Sequence, residues 1–310
     1  MQEDARRDPG AFWSRAAEEL HWFRKWDEPF VWQPPTFRWF VGGQTNLAFN
    51  CLDYHVQRGR GGQAALIYLN ERGERQVFTY AQLRREVERV AAALRGLGMG
   101  RGDRLTIYMP VCPEAIVLML ATVRIGAIHS VVFAGFGAQA LADRIAASGS
   151  RLVFTADVAY RRGGQVRLKE VVDQALALSG DGVERVVVLR RTADGAPMTP
   201  DRDLLWQEFL RRGEGQDGGH VVMEANGPAY ILATSGTTAR PKLAVHVHGG
   251  YQVGIYSSAR WCFGLRPSDV WWATSDIGWV VGHSYIVYAP LLMGCTTVAY
   301  EGALDYPGPE

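Results

Sequence analysis

Between residues 104 and 189 short apolar runs alternate with helical patterns, and this alternation narrows the folds open to the chain more than any other feature. Residues 104–109 read as a strand, and Pro113 opens an apolar helix reaching Ile125. Strands at 129–133, 151–155 and 185–189 follow, separated by helices at 138–147 and 166–178. After a Gly-, Asp- and Arg-rich excursion over 191–226, with one helix near 204–210, the alternation resumes. It gives strands at 230–234, 270–274 and 296–300 and helices near 251–263 and 283–292. Each helical crossover returns the chain to the same end of a sheet, so neighbouring strands run parallel and helices must cover both faces. The spacing predicts an α/β fold of mostly parallel sheets covered by helices.

Upstream, residues 64–80 read as two strands around the polar turn Arg72-Gly73-Glu74. Thr79 stands where it can cap a helix whose stripe is Leu83, Val87, Val90, Leu94 and Leu97. Residues 1–60 show no such periodicity. They hold Trp13, Trp22, Trp26, Trp32 and Trp39, and Pro29, Pro34 and Pro35 interrupt any long helix. Large anchors without a repeat predict an extension that wraps over a core. The expected organisation is this extension (1–60), a first α/β subdomain (61–226) and a second one beginning at 227 and running to 310.

Charge excludes some partners. Lys and Arg number 33 against 32 Asp and Glu, which leaves no bulk attraction for nucleic acid or an anionic membrane. The apolar window 115–123 stops at Arg124, well short of the ~20 residues a spanning helix needs. Cys51, Cys112, Cys262 and Cys295 form no C-x-x-C pair, neither a zinc site nor a disulfide framework, and this suits a reducing cytoplasm. His246 and His248, at i and i+2, would share one side of a strand, but no third ligand lies nearby in sequence. Ordinary strand positions are the simpler reading, and no metal site is expected from protein ligands.

The segment "ILATSGTTARPKLAVHVHGG", residues 231–250, carries the densest chemistry. Ser, Thr and Gly are ordinary turn residues, so a polar turn is one reading. The other is an anion cradle, in which the hydroxyls of Thr234, Ser235, Thr237 and Thr238, backbone N–H groups near Gly236 and the Lys242 ammonium converge on phosphate oxygens. A P-loop is excluded because Pro241 stands where its second Gly belongs. A dinucleotide fingerprint fails at "GLGMGRGD", which also follows a helix.

"TSGTTARPK" resembles the phosphate loop of the adenylate-forming enzymes, the acyl-CoA synthetase and luciferase superfamily, although Ala239 and Leu243 replace two glycines of that pattern. "WFVGGQTNLAFNCLDYHV" (39–56) and "SDIGWVVGHSYIVYAPLLMGCTTVAYEG" (275–302) are similar to segments of the acetyl- and propionyl-CoA synthetases. "YRRGGQVRLKEVVDQAL" (160–176) resembles the segment that meets coenzyme A in those enzymes. The fold so implied is the large N-terminal domain of that superfamily, incomplete at its C-terminal side.

The resemblance implies two half-reactions. A short-chain carboxylate attacks the α-phosphorus of ATP to give an acyl-adenylate, and the coenzyme A thiol then displaces AMP. Mg²⁺ and fixed donors would neutralise the phosphates. By resemblance, Lys242 and Thr237 are the catalytic candidates, and Thr234, Ser235, Gly236 and Thr238 complete the phosphate loop. Arg161 or Arg162 would meet the 3′-phosphate of coenzyme A, with Arg161 the choice, because forked donors suit phosphate. Trp279, Val280 and Val281 would line the acyl pocket; Val281 stands where acetyl-specific relatives carry Thr, which leans toward propionate. Core packing is the alternative for that apolar run.

Relatives of this kind run to about twice the length, so the residues that hold the nucleoside are not expected within this chain. An N-terminal part with little or no activity alone is the leading expectation, and self-association through uncovered surface goes with it. A non-catalytic nucleotide- or coenzyme A-binding remnant is the alternative. An amino-acid-activating or luciferase-type member shares the loop but is disfavoured by the 39–56 and 279–285 segments.

Overall fold

The structure is a computed structural model that describes residues 2–180, 182–234 and 242–308. Seven strands form the larger sheet. Across it they run Asp203–Leu205, Arg185–Leu189, Leu152–Ala156, Arg104–Tyr108, Ile128–Val131, Pro228–Thr234 and Lys242–Val247. All neighbours are parallel except the last pair. A four-stranded sheet orders Val270–Trp272, Thr296–Glu301, Ala64–Asn70 and Arg75–Thr79, with only the last pair antiparallel. The expected mostly parallel α/β architecture is present. Each sheet draws strands from both sides of residue 226, so the segments 61–226 and 227–310 interleave in space.

The helices follow from their patterns. Pro113–Arg124 is apolar all round and correspondingly buried along nearly its whole length. Tyr80–Gly96 turns Leu83, Val87, Val90 and Leu94 inward. It starts in a reciprocal cap, with the Gln82 N–H donating to the Thr79 hydroxyl at 3.2 Å and the Thr79 N–H to Gln82 Oε1 at 2.8 Å. In the N-terminal segment Trp13 meets Trp39 and Trp261, and Trp22 and Trp26 enclose Phe40. Trp32 departs from the anchoring expectation: it stands exposed on the hairpin Glu28–Gln33/Thr36–Val41, stacked on exposed Phe37 and tilted against Phe30 of the same hairpin.

Three local expectations are corrected. The helix predicted from residue 166 is Leu168–Ser179, and the preceding residues form an antiparallel hairpin, Val158–Arg161 with Gly164–Arg167. Its two-residue turn puts Arg162 and Gly163 at φ of 53° and 73°, a geometry in which both central residues are left-handed. Second, the strand expected to carry both His246 and His248 is Lys242–Val247, antiparallel at the sheet edge, and it ends before His248. Third, the next helix, His248–Trp261, begins three residues early, through Gly249 and Gly250. Glycine disguises a helix start, but here it is sterically required: a Cβ on Gly249 would lie 2.6 Å from that of Ala225. His248 is thus a helix residue, buried, its Nδ1 accepting the Leu47 N–H at 3.2 Å, and it shares no strand face with His246. No cluster of metal ligands exists among the described residues.

Candidate active site

In an open parallel sheet, ligands bind beyond the carboxyl ends of strands where the strand order reverses. Here the chain leaves Arg104–Tyr108, takes its neighbour Ile128–Val131 on one side and then places Leu152–Ala156 on the other. Residues just past the first two of these strands, Pro110, Val111 and 133–135, form one side of a cleft of ≈ 810 Å³. The opposite side comes from the carboxyl ends of the smaller sheet, through 272–276 and 300–302. Ala159, Tyr160, Arg161 and Val166 of the hairpin, with Leu304 and Asp305, complete its rim. Both sheets therefore present their strand ends to one space.

Trp279 projects into this cleft, about half exposed at 47%. Its indole leans on Phe133 at 5.5 Å between centroids and meets Phe136 edge-on at 5.9 Å. The approach needs Gly278, because a Cβ there would lie 2.6 Å from the Phe133 Cα. Gly278→Ala is expected to cost about 1–3 kcal/mol by overpacking, read as a lower urea midpoint together with a changed indole emission. An unchanged midpoint and spectrum would show that the wall yields freely.

Behind the indole lies a stack of buried rings. The Trp279 carbonyl accepts from the His283 N–H at 3.0 Å and faces His283 Nδ1 at 3.1 Å. His283 stacks on Tyr230 at 4.7 Å, and Tyr230 stacks in turn on His246 at 4.4 Å and His129 at 5.4 Å. His129 Nε2 lies 2.6 Å from the Tyr288 hydroxyl. Burial pushes the His283 and His248 pKa values down to about 3, so these rings are neutral at pH 7. His283 packs beside the cleft as part of this stack rather than lining it.

Asp276 also lines the cleft. Its Oδ1 accepts the Gly278 N–H at 2.7 Å, an Asx turn that D-x-G spacing could have signalled. Burial raises its carboxyl pKa, while the Gly278 N–H and the Arg161 charge act against that shift.

Of the paired arginines, Arg161 lines the cleft, exposed, and its side chain has no hydrogen bond or ion pair among the described residues. Arg162 turns to the rim and donates to Asp305 Oδ2 at 2.9 Å. Val280 and Val281 open the short helix Val280–Gly282, each about half exposed, and neither lines this cleft. Thr234 ends its strand at the same carboxyl edge as Phe133, and its hydroxyl donates to the Lys242 carbonyl at 3.3 Å. Lys242 stands opposite it in register, exposed and outside the cleft lining. Ser235, Gly236, Thr237 and Thr238 lie outside the described residues, as does Ala239.

Two family models together match nearly the whole chain. The AMP-binding enzyme model covers residues 52–309, and the acetyl-coenzyme A synthetase N-terminus model covers residues 1–51. The chain is 47% identical over 308 residues to an acetyl-coenzyme A synthetase of Rubrobacter xylanophilus, a match covering 99% of this chain and 48% of the relative. It is 49% identical over 302 residues to the acetyl-coenzyme A synthetase of Deinococcus radiodurans, covering 96% and 46%. A 3-hydroxypropionyl-coenzyme A synthetase of Sulfurisphaera tokodaii is 49% identical over 308 residues, covering 98% and 46%. The chain thus spans about half the length of the curated relatives it matches. With one model matching most of its residues and another the remainder, the chain belongs to the AMP-binding enzyme family and carries the N-terminal segment typical of acetyl-coenzyme A synthetases.

Proposed function

We propose that this chain provides the phosphate, acyl and coenzyme A contacts of an ATP-dependent short-chain acyl-CoA synthetase. The observation that carries the reading is the convergence at one carboxyl edge. Trp279 and Arg161 face one cleft, and Thr234, the residue that precedes the hydroxyl-rich segment in sequence, ends its strand at the same carboxyl edge. In the first half-reaction a carboxylate oxygen attacks the α-phosphorus and pyrophosphate leaves. The hydroxyls of Thr234, Ser235, Thr237 and Thr238, the Gly236 N–H and the Lys242 ammonium would hold the phosphates in line and spread their charge. In the second, the thiol attacks the acyl carbon and AMP leaves, while Arg161 holds the coenzyme through its 3′-phosphate.

Mg²⁺ suits the hydroxyls and phosphates better than a protein cage, since no acidic cluster exists among the described residues and this ion keeps water and phosphate ligands. When bound it would neutralise charge on the leaving pyrophosphate. Trp279, Val280 and Val281 are the proposed acyl-pocket residues, and Val281 favours propionate over acetate by the worth of one methyl-sized contact.

The relatives' names support thioester formation as the activity of the whole enzyme, whereas this chain has about half their length. A binding-only role for the polypeptide by itself is therefore the second reading. Calorimetric titration with ATP is expected to show Lys242→Ala about tenfold weaker, the worth of one charge-assisted contact. Equal affinities would remove Lys242 from the site. Pyrophosphate release with acetate or propionate is expected at the level of the Lys242→Ala control. Release clearly above it would establish a catalytic polypeptide and dismiss the binding-only reading.

A further inference from the structure

Glu71 sits in the turn between two strands of the smaller sheet, Ala64–Asn70 and Arg75–Thr79, yet its carboxylate serves a different element. Oε2 accepts the Arg162 N–H at 3.0 Å and Oε1 accepts the Gly163 N–H at 2.9 Å. Oε2 also accepts the Ala303 N–H at 3.3 Å. One side chain thereby joins the two-stranded hairpin Val158–Arg161/Gly164–Arg167 to the segment that follows Thr296–Glu301 at the rim of the cleft.

The two hairpin amides are those of the left-handed turn. Arg162, at φ 53°, is a non-glycine residue in a conformation that crowds an L side chain's Cβ against the following carbonyl oxygen. Successive N–H groups pointing the same way make an anion-binding concavity, and the Glu71 carboxylate occupies it. The surroundings are shaped for that carboxylate. Gly302, at φ +144°, leaves open the space where its Cβ would lie 2.8 Å from Glu71 Oε2. The Glu71 N–H itself donates to the Glu301 carbonyl at 3.0 Å, which fixes the base of the side chain.

We infer that Glu71 is a positioning residue: by binding both amides of the Arg162–Gly163 turn, it sets the turn that aims Arg161 into the cleft and Arg162 away from it. The ligand class served is a nucleotide with a terminal phosphate monoester, and that part rests on the coenzyme A reading above. Arg161 is the residue immediately before the turn, paired across the hairpin with Gly164. A rotation of the turn would exchange which arginine faces the cleft. The same contact also gives the acidic side chain two donors, so its charge at the rim is partly neutralised toward an incoming anion.

The experiment uses the full chain, its Glu71→Ala and Glu71→Gln variants, and two probes, coenzyme A and dephospho-coenzyme A. Calorimetry on the unaltered chain is expected to favour coenzyme A about tenfold, the worth of one phosphate–guanidinium contact. Glu71→Ala is expected to abolish that preference, with dephospho-coenzyme A affinity and melting temperature little changed, and Glu71→Gln to restore part of it. Hydrogen exchange read in parallel is expected to quicken at the Arg162 and Gly163 amides while the Val153 and Ile107 amides stay protected. A preference kept intact in Glu71→Ala, or unchanged exchange at the turn, overturns the positioning role. Equal binding of the two probes by the unaltered chain instead overturns the coenzyme A reading, and the exchange at the turn then decides alone whether Glu71 sets it.

Discussion

Acidification from pH 7.5 to 5 is expected to remove several kcal/mol of stability, enough to bring the chain near its unfolding midpoint well above the carboxylate range. All seven histidines have pKa values pushed down in the fold, with burial the leading cause each time. Four are deeply buried. His55 is lowered to about 4, His248 and His283 to about 3, and His129 well below its ordinary 6.5. Below 6.5 the unfolded chain takes up protons at these rings and the folded chain does not, so stability falls with pH until the folded pKa values are reached. The loss is roughly 1.4 kcal/mol per pH unit for each ring in that window, or about 2 kcal/mol each at pH 5. A whole domain holds only about 5–15 kcal/mol. Urea midpoints at pH 7.5 and 5.5 should therefore differ strongly, and unfolding near pH 5 should take up about four protons. His129→Phe keeps the aromatic stack while removing one titrating ring, and should flatten the slope. A midpoint independent of pH across 7.5 to 5.5 would refute the account.

The surroundings of these histidines separate what is local in the sequence from what is long-range. The parallel strands, the Thr79 cap and the stripe of Tyr80–Gly96 are local patterns, and their residues carry the signal themselves. His246 and His248 looked alike in sequence, because a strand-to-helix change at Val247 leaves no mark when glycines follow. What aligns His246, Tyr230 and His129 is the pairing of Pro228–Thr234 with both neighbours, a long-range fact, and His283 joins them from the helical segment His283–Tyr288. The hairpin at 158–167 was hidden for a related reason. Its turn is Arg-Gly rather than Asn-Gly, and the left-handed Arg162 is stabilised from outside by Glu71, 91 residues away. Trp279 and Arg161 were legible as candidates from motif resemblance, but their facing of one cleft depends on two sheets meeting. Asp276 carries a local signal of its own, the D-x-G spacing of an Asx turn.

One buried ion pair bridges the two sheets, and its removal carries the other large expected effect. Arg191 follows the strand Arg185–Leu189 of the larger sheet, and Glu301 ends Thr296–Glu301 of the smaller. Their side chains form a two-pronged pair, Nη1 to Oε1 at 2.6 Å and Nη2 to Oε2 at 2.7 Å, only 11% and 4% exposed. Glu301 also accepts from the Tyr68 hydroxyl at 2.5 Å and the Tyr160 N–H at 3.2 Å, so its oxygens are fully used. Burial opposes the Arg191 charge, but the hydrogen bonds to Glu301 and the attraction of the acidic groups around it together outweigh that and hold the pKa above its ordinary value. The guanidinium further covers the Tyr160 ring at 4.8 Å, with Arg72 over that ring at 4.3 Å. Arg191→Met would leave a carboxylate buried without its cation, and is expected to cost about 3–5 kcal/mol. Glu301→Gln should cost less, since an amide oxygen still accepts from Tyr68 or Tyr160. Combining Arg191→Met with Glu301→Leu should recover part of the loss, limited by the orphaned Tyr68 hydroxyl. A double-mutant cycle on the two positions isolates the coupling. Because Glu301 and Tyr160 both line the cleft, Arg191→Met should also weaken coenzyme A binding at temperatures where the chain remains folded. A single-variant cost below about 1 kcal/mol, in the range of an exposed pair, would mean that the sheets are held together by apolar packing alone and that the cleft does not depend on this bridge.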